Sequence, residues 1–140
     1  MTDNRSGRDA SNQNGRPPDY EGAATLRQAV RDFNGRSDQL VRLHGLTPEQ
    51  YELLLLIHVS PREQATISNL CTALHRGQSA VTQLARRTEN RGLLTRELSK
   101  TDARVRYLKL TRRGEQRLNA AVLELRGERS RLLSLLRKID

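Results

Sequence analysis

From Tyr20 onward, hydrophobic positions return every three or four residues. Leu26, Val30, Phe33, Ser37, Leu40 and His44 follow a 4-3-4-3-4 spacing, which predicts a helix with a coiled-coil-like seam ending at Gly45. "LTPEQYELLLLIHV" opens a second helix. Thr47 is its N-cap, Pro48 its first helical residue, and Gln50 completes a capping box. Tyr51, Leu54, Leu55 and His58 form one stripe and Leu53, Leu56 and Ile57 another, so most of this helix should be buried, with Pro61 ending it. "ATISNLCTALHRG" predicts a short helix with Ile67, Leu70, Cys71 and Leu74 inward. After the turn at His75–Gly77, "QSAVTQLARRTENRG" predicts another, with Val81, Leu84, Ala85 and Thr88 inward and Gly92 as its stop. Two short helices across a three-residue turn make a helix-turn-helix.

The period then changes to two. "LLTRELS" and "VRYLKL" read as strands joined by "KTDAR", with Val105 and Tyr107 on one face and Arg106, Leu108 and Leu110 on the other. A hairpin after a helix-turn-helix is a winged helix. Thr111 begins a last helix whose seam runs Leu118, Val122, Leu125, Arg129, Leu132, Leu136 and Ile139, with Gly127 and Arg129 expected to kink or split it. About 28 residues of helix would measure roughly 42 Å, longer than a winged helix is wide. Apolar seams at both ends of the chain should therefore stay exposed unless two chains pair. The predicted fold is mainly α with a small β-hairpin wing. Residues 1–19 are a disordered tail, 20–45 an N-terminal dimerisation helix, 46–114 the winged helix-turn-helix and 115–140 a C-terminal dimerisation helix.

Composition sharpens this outline. The 140 residues are 35% hydrophobic and 3% aromatic, and they carry a formal net charge of +9. So lean a core suits a small unit that completes its burial with a partner. The 25 basic residues are nearly all Arg, whose guanidinium fork matches phosphate geometry. From Thr47 to Gly114 there are twelve Lys and Arg against six acids, so most of the net charge falls in the winged helix. The longest apolar run, Leu53–Ile57, is too short for a membrane span, no apolar segment follows Met1, and the single Cys71 excludes an internal disulfide. The expected location is the cytoplasm, with no membrane partner.

Outward positions on the second helix of the helix-turn-helix are Gln78, Ser79, Thr82, Gln83, Arg86, Arg87 and Asn90, with no acid before Glu89. In this motif the N-terminal part of that helix enters the major groove, where Gln suits adenine, Arg suits guanine, and Ser or Thr either base or phosphate. The hairpin tip "TDAR" would lie over the neighbouring minor groove, where Arg104 is drawn to narrow A·T-rich segments and Asp102 restrains its rotamers. Expected DNA-contacting residues are Gln78, Ser79, Thr82, Gln83, Arg86, Arg87, Asp102, Arg104 and Arg106.

"LTPEQYELL", "SAVTQLARRTENRGLLTRE" and above all "DARVRYLKLTRRG" resemble the MarR family of bacterial winged-helix regulators. That family's wing pattern is Asp-x-Arg, three residues, then Leu-x-Leu-Thr-x-x-Gly, and Asp102, Arg104, Leu108, Leu110, Thr111 and Gly114 fill every place. The resemblance covers residues 20–140. It implies a homodimer held by its first and last helices, recognition helices in successive major grooves of a pseudo-palindromic operator, and wing Arg104 in the minor groove. It further implies a repressor released by a ligand or an oxidant. Departures from the pattern are His75 for a Gly, Arg76 for an apolar residue, Arg86 for an acid and Thr88 for a Leu, the last expected to loosen the core.

Candidates for sensing are few. Cys71 lies on an apolar face, which favours packing over redox chemistry. Phe33, His44, Tyr51 and His58 are candidates to line an effector pocket, and the sequence names no ligand. The three His are scattered and there is no metal-binding or phosphate-loop motif, so neither enzyme activity nor a cofactor is expected. Two alternatives remain at this stage: an architectural protein that coats DNA without sequence preference, and a winged helix that binds another protein.

Overall fold

The computed structural model describes residues 15–139, so residues 1–14 of the expected tail lie outside it. Asp19 caps the first helix, α1 (Tyr20–Leu43), its carboxylate accepting from the Gly22 N–H at 2.9 Å. Helix α1 ends before Gly45, which takes φ +71°, the left-handed conformation that stops a helix cheaply in glycine. Helix α2 (Pro48–His58) begins with the expected reciprocal cap. Thr47 Oγ1 accepts from the Gln50 N–H and Gln50 Oε1 from the Thr47 N–H, both at 3.1 Å. A single 3-10 turn at Pro61–Glu63 leads into a two-residue strand, β1 (Gln64–Ala65).

Helices α3 (Ile67–Leu74) and α4 (Gln78–Asn90) form the helix-turn-helix. A second capping box, Thr66 with Asn69, starts α3. His75 ends it at φ 53°, ψ 43°, the left-handed position where glycine is the easier residue. The inward face of α4 is as expected, with Val81, Leu84, Ala85 and Thr88 all buried. Thr88 does not leave a polar atom stranded. Its hydroxyl donates to the Leu84 carbonyl at 2.7 Å, so the hydroxyl that replaces an apolar group is satisfied within the helix.

Strands β2 (Leu94–Leu98) and β3 (Arg106–Leu110) pair antiparallel as the wing, with Leu94 opposite Leu110 and Leu98 opposite Arg106. The sheet has three strands rather than the expected two, in the order β1-β3-β2. Gln64 and Ala65 pair with Lys109 and Leu108, a segment too short to show any periodicity in the sequence. The kink or split expected in the last helix is a split: α5 (Arg112–Glu124) and α6 (Arg126–Leu136) meet at Leu125, where ψ is −3°. The break comes two residues before Gly127.

The core joins every α-helix except α6, which has no buried residue. Val41, Leu46, Leu53, Leu54, Ile57, Leu70, Val81, Leu93, Leu108, Leu118 and Leu125 are buried together, with Cys71 packed at the edge. Of the two α2 stripes, Leu53, Leu54 and Ile57 are fully buried, whereas Leu55, Leu56 and His58 are partly exposed. The expectation that the terminal seams need a second chain is corrected in part. Helix α6 packs against α1 of the same chain, and Arg36 pairs with Glu128 at 3.7 Å. Leu26 and Val30 of the α1 seam, and Leu133 and Leu135 of α6, remain exposed.

Two local arrangements position α4 and the wing. At the α4 end, Arg91 Nη1 donates to Gln50 Oε1 at 2.7 Å, so the side chain that caps α2 also holds the C-terminus of α4. At the wing, the Thr111 N–H donates to the Leu93 carbonyl (3.1 Å) and its hydroxyl to the Gly92 carbonyl (2.6 Å), while Thr111 Oγ1 accepts from the Gly114 N–H (3.1 Å). Gly114 is buried with the Leu93 carbonyl occupying the space a Cβ would need.

Gly114→Ala is therefore expected to cost about 1–3 kcal/mol, the range for forced overpacking, read as a lowered urea midpoint; an unchanged midpoint would contradict the close approach. Gln50→Ala removes the acceptor of two hydrogen bonds and should cost about 1–2 kcal/mol. The same urea titration checks it, and a variant as stable as the parent would show that the Arg91 contact holds nothing.

Candidate nucleic-acid interface

The expected DNA-facing residues divide between α4 and the wing. With its apolar face buried, α4 presents Gln78, Ser79, Gln83, Arg86 and Arg87 to solvent, and Thr82 half-buried beside them. Its first turn is capped by Gly77 with no side-chain bond, leaving backbone N–H groups free to meet an acceptor. Asn90 is exposed one turn further on. Among the described residues no carboxylate pairs with Arg86. Arg87 and Arg76 both point to Glu49 in the first turn of α2, at 3.9 and 3.7 Å. These are long, exposed ion pairs worth little in water and easily exchanged for phosphate. Arg76 thereby gains a polar anchor where an apolar residue was expected.

At the wing, Asp102 organises Arg104 through both its backbone and its side chain. Asp102 Oδ1 accepts from the Arg104 N–H at 3.0 Å and from Arg104 Nε at 3.2 Å. The Arg104 side chain is 90% exposed, yet its root is fixed. Asp102 is itself held in place: Ser99 Oγ accepts from the N–H groups of Thr101 and Asp102, both at 3.2 Å. The Val105 N–H donates to the Asp102 carbonyl at 3.0 Å, and the Ser99 N–H to the Val105 carbonyl at 2.8 Å. Ser99 escaped the sequence reading. Its signal was a small hydroxyl residue three before the Asp, a common turn-forming pattern. Arg106, at the start of β3, is exposed opposite Leu98.

The wing adjoins the helix-turn-helix through β2, which packs on α4, and through the Glu89–Arg96 pair (3.1 Å). Glu89 thus serves an internal contact and does not oppose the cationic face.

Of the four candidate pocket residues, the structure brings two together. Phe33 and Tyr51 line a cleft of about 430 Å³ between α1, α2 and the α5–α6 junction, with Ser37, Val41, Leu125 and Arg129. His44 and His58 lie elsewhere, His44 near Glu124 and His58 near Glu63, both at 3.9 Å, because each sits at a helix end that turns away from this cleft. Ser37 is buried and its hydroxyl has no hydrogen-bond partner. Burial raises the Tyr51 pKa, against the opposing pull of the Arg129 charge. The phenol therefore remains a neutral donor across the physiological range.

No described helix is long and apolar enough to cross a membrane. The sequence profile of the MarR family matches residues 44–105, which span α2, the helix-turn-helix and the wing up to its tip. The chain is 24% identical over 111 residues to the HTH-type transcriptional regulator MhqR of Bacillus subtilis, covering 79% of this chain and 75% of that one. It superposes on the crystal structure of AbsC, a MarR family transcriptional regulator from Streptomyces coelicolor, with a TM-score of 0.71 and 24% identity, over 84% of this chain and 80% of that one. The M. tuberculosis transcriptional regulator MOSR, solved in complex with DNA, gives 0.63 and 27%, over 80% of each chain. In its fold, its matched profile and its complete wing motif, the chain is similar to the MarR family of DNA-binding transcriptional regulators.

Proposed function

We propose that the protein acts as a homodimer on a pseudo-palindromic duplex operator, as a repressor, with α4 in the major groove and Arg104 in the adjacent minor groove. The observation that carries this reading is the wing tip. A nearly fully exposed guanidinium is held at its root by Asp102 and backs onto the Ser99 turn, so little freedom is lost when it inserts. Gln78, Ser79, Thr82, Gln83, Arg86 and Arg87 are the side chains offered to base edges and phosphate, and Arg106 to the backbone beside the wing. Pairing of two chains is supported by exposed apolar side chains on the terminal helices: Tyr20, Leu26 and Val30 on α1, Leu123 on α5, and Leu133 and Leu135 on α6. A twofold dimer would present two α4 helices to half-sites about one helical turn apart.

Release by a small-molecule effector is the second element of the proposal, and the unpartnered Ser37 hydroxyl beneath Phe33 and Tyr51 supports it. A buried hydroxyl with no acceptor or donor is unfavourable until something binds it. Filling the cleft with Ser37→Leu should abolish thermal-shift responses to small molecules that raise the parent's melting temperature. Responses that survive the substitution would place the binding site elsewhere.

Selection of bound fragments from random duplex DNA should recover an inverted repeat, with binding that weakens steeply as salt rises. Recovery of no preferred sequence would favour a DNA-coating architectural role. Arg104→Ala should weaken operator binding by about 1–3 kcal/mol, and an affinity unchanged within error removes the wing from the interface. Gln83→Ala and Arg86→Ala should alter the preference among sequences. Sedimentation of the free protein as a single subunit at micromolar concentration would overturn the dimer.

A further inference from the structure

Away from the α4 face and the cleft, three potential ligands converge, two of them five residues apart and the third from the start of α5. His58 closes α2, Glu63 ends the 3-10 turn, and Glu115 stands in the first turn of α5. One donor atom from each lies within 4.8 Å of the other two, in a depression of about 190 Å³ beside β3. His58 Nδ1 and Glu63 Oε1 are 3.9 Å apart, too far for a hydrogen bond, and His58 Nδ1 is shut off from solvent with no hydrogen-bond partner. Two carboxylates beside an unsatisfied imidazole nitrogen have little to recommend them unless a cation joins them. The lysine that lines the same depression, Lys109, is engaged by Glu97 at 3.0 Å, and among the described residues Glu115 is in no ion pair. Arg62 also lines the depression.

We propose that His58, Glu63 and Glu115 form a binding site for a divalent transition-metal ion of the zinc type at the base of the wing. Zinc held tetrahedrally at its usual bond lengths to nitrogen and oxygen has ligand atoms about 3.3–3.6 Å apart. The observed spacing therefore closes with small rotations of two glutamate side chains. One imidazole nitrogen with two carboxylate oxygens suits zinc and its neighbours, whereas magnesium and calcium prefer oxygen alone. Three protein ligands leave a fourth position to water. The ion would join the end of α2, the 3-10 turn and the first turn of α5. β1, which follows Glu63, pairs with one edge of β3, and α5 follows β3, so one edge and the C-terminal end of the sheet's central strand would be tied to the end of α2. The binding step stands apart from the operator reading.

The sequence makes the site easy to test, because it contains three histidines and one cysteine in all. Equilibrium dialysis of the full chain against zinc should find one ion per chain at micromolar free zinc, retained in excess magnesium. His58→Gln, Glu63→Gln and Glu115→Gln should each weaken it by about tenfold or more. His75→Gln and Cys71→Ser should leave it unchanged. The glutamates are at the surface, so their variants keep the test valid if His58→Gln fails to fold. No binding at micromolar zinc, or binding lost in His75→Gln or Cys71→Ser and kept in both glutamate variants, overturns the site.

Discussion

Thr111 occupies the point on which the geometry of this molecule turns. Its N–H and hydroxyl donate to the carbonyls of Leu93 and Gly92, and its oxygen caps the helix that follows. Gly92 is where α4 stops, Leu93 is where the wing's first strand is about to begin, and Thr111 is where its second strand has just ended. One residue therefore sets α4, both wing strands and α5 against one another. The junction is tight enough to leave no room for a side chain at Gly114. That is the physical content of the Leu-x-Leu-Thr-x-x-Gly pattern. The leucines anchor the strand in the core, the threonine clamps backbone to backbone, and the glycine admits a neighbouring carbonyl.

The charge arrangement complements that rigid frame. Four of the six acids in the winged helix are engaged by basic residues: Glu89 by Arg96, Glu97 by Lys109 and Asp102 by Arg104, with Glu49 shared weakly by Arg76 and Arg87. Each pairing braces a strand, a turn or a side chain, while among the described residues no carboxylate pairs with Arg86 and the Arg104 side chain stays 90% exposed. A core this poor in aromatic residues gives the terminal helices little to bury within one chain. Part of the α1 seam finds α6, and the remainder stays in water.

Much of the architecture was legible because it rests on short-range rules. The Thr47 and Gln50 cap, the inward stripe of α4, the left-handed stops at His75 and Gly92 and the alternation in β3 each depend on residues within four positions of one another. The wing residues Asp102 and Arg104 were legible for the same reason, since their contact spans two residues. The three-stranded sheet was not, because a two-residue strand has no period and exists only through its partner. The break at Leu125 was also missed in detail. Gly127 and Arg129 signalled a weak helix, but where α6 departs depends on how it packs against α1.

By itself, the sequence determined the order and faces of the helices, the caps that start α2 and the cationic character of the outer face of α4, because hydrogen bonds and side-chain periodicity act over one or two turns. Tertiary structure alone decided that Gln50 reaches Arg91 across 41 positions and that His44 and His58 turn away from the cleft that Phe33 and Tyr51 share. It alone decided that His58, Glu63 and Glu115 meet. Such contacts join segments whose separation in sequence carries no information about their distance in space, and only the packing of the core brings them together.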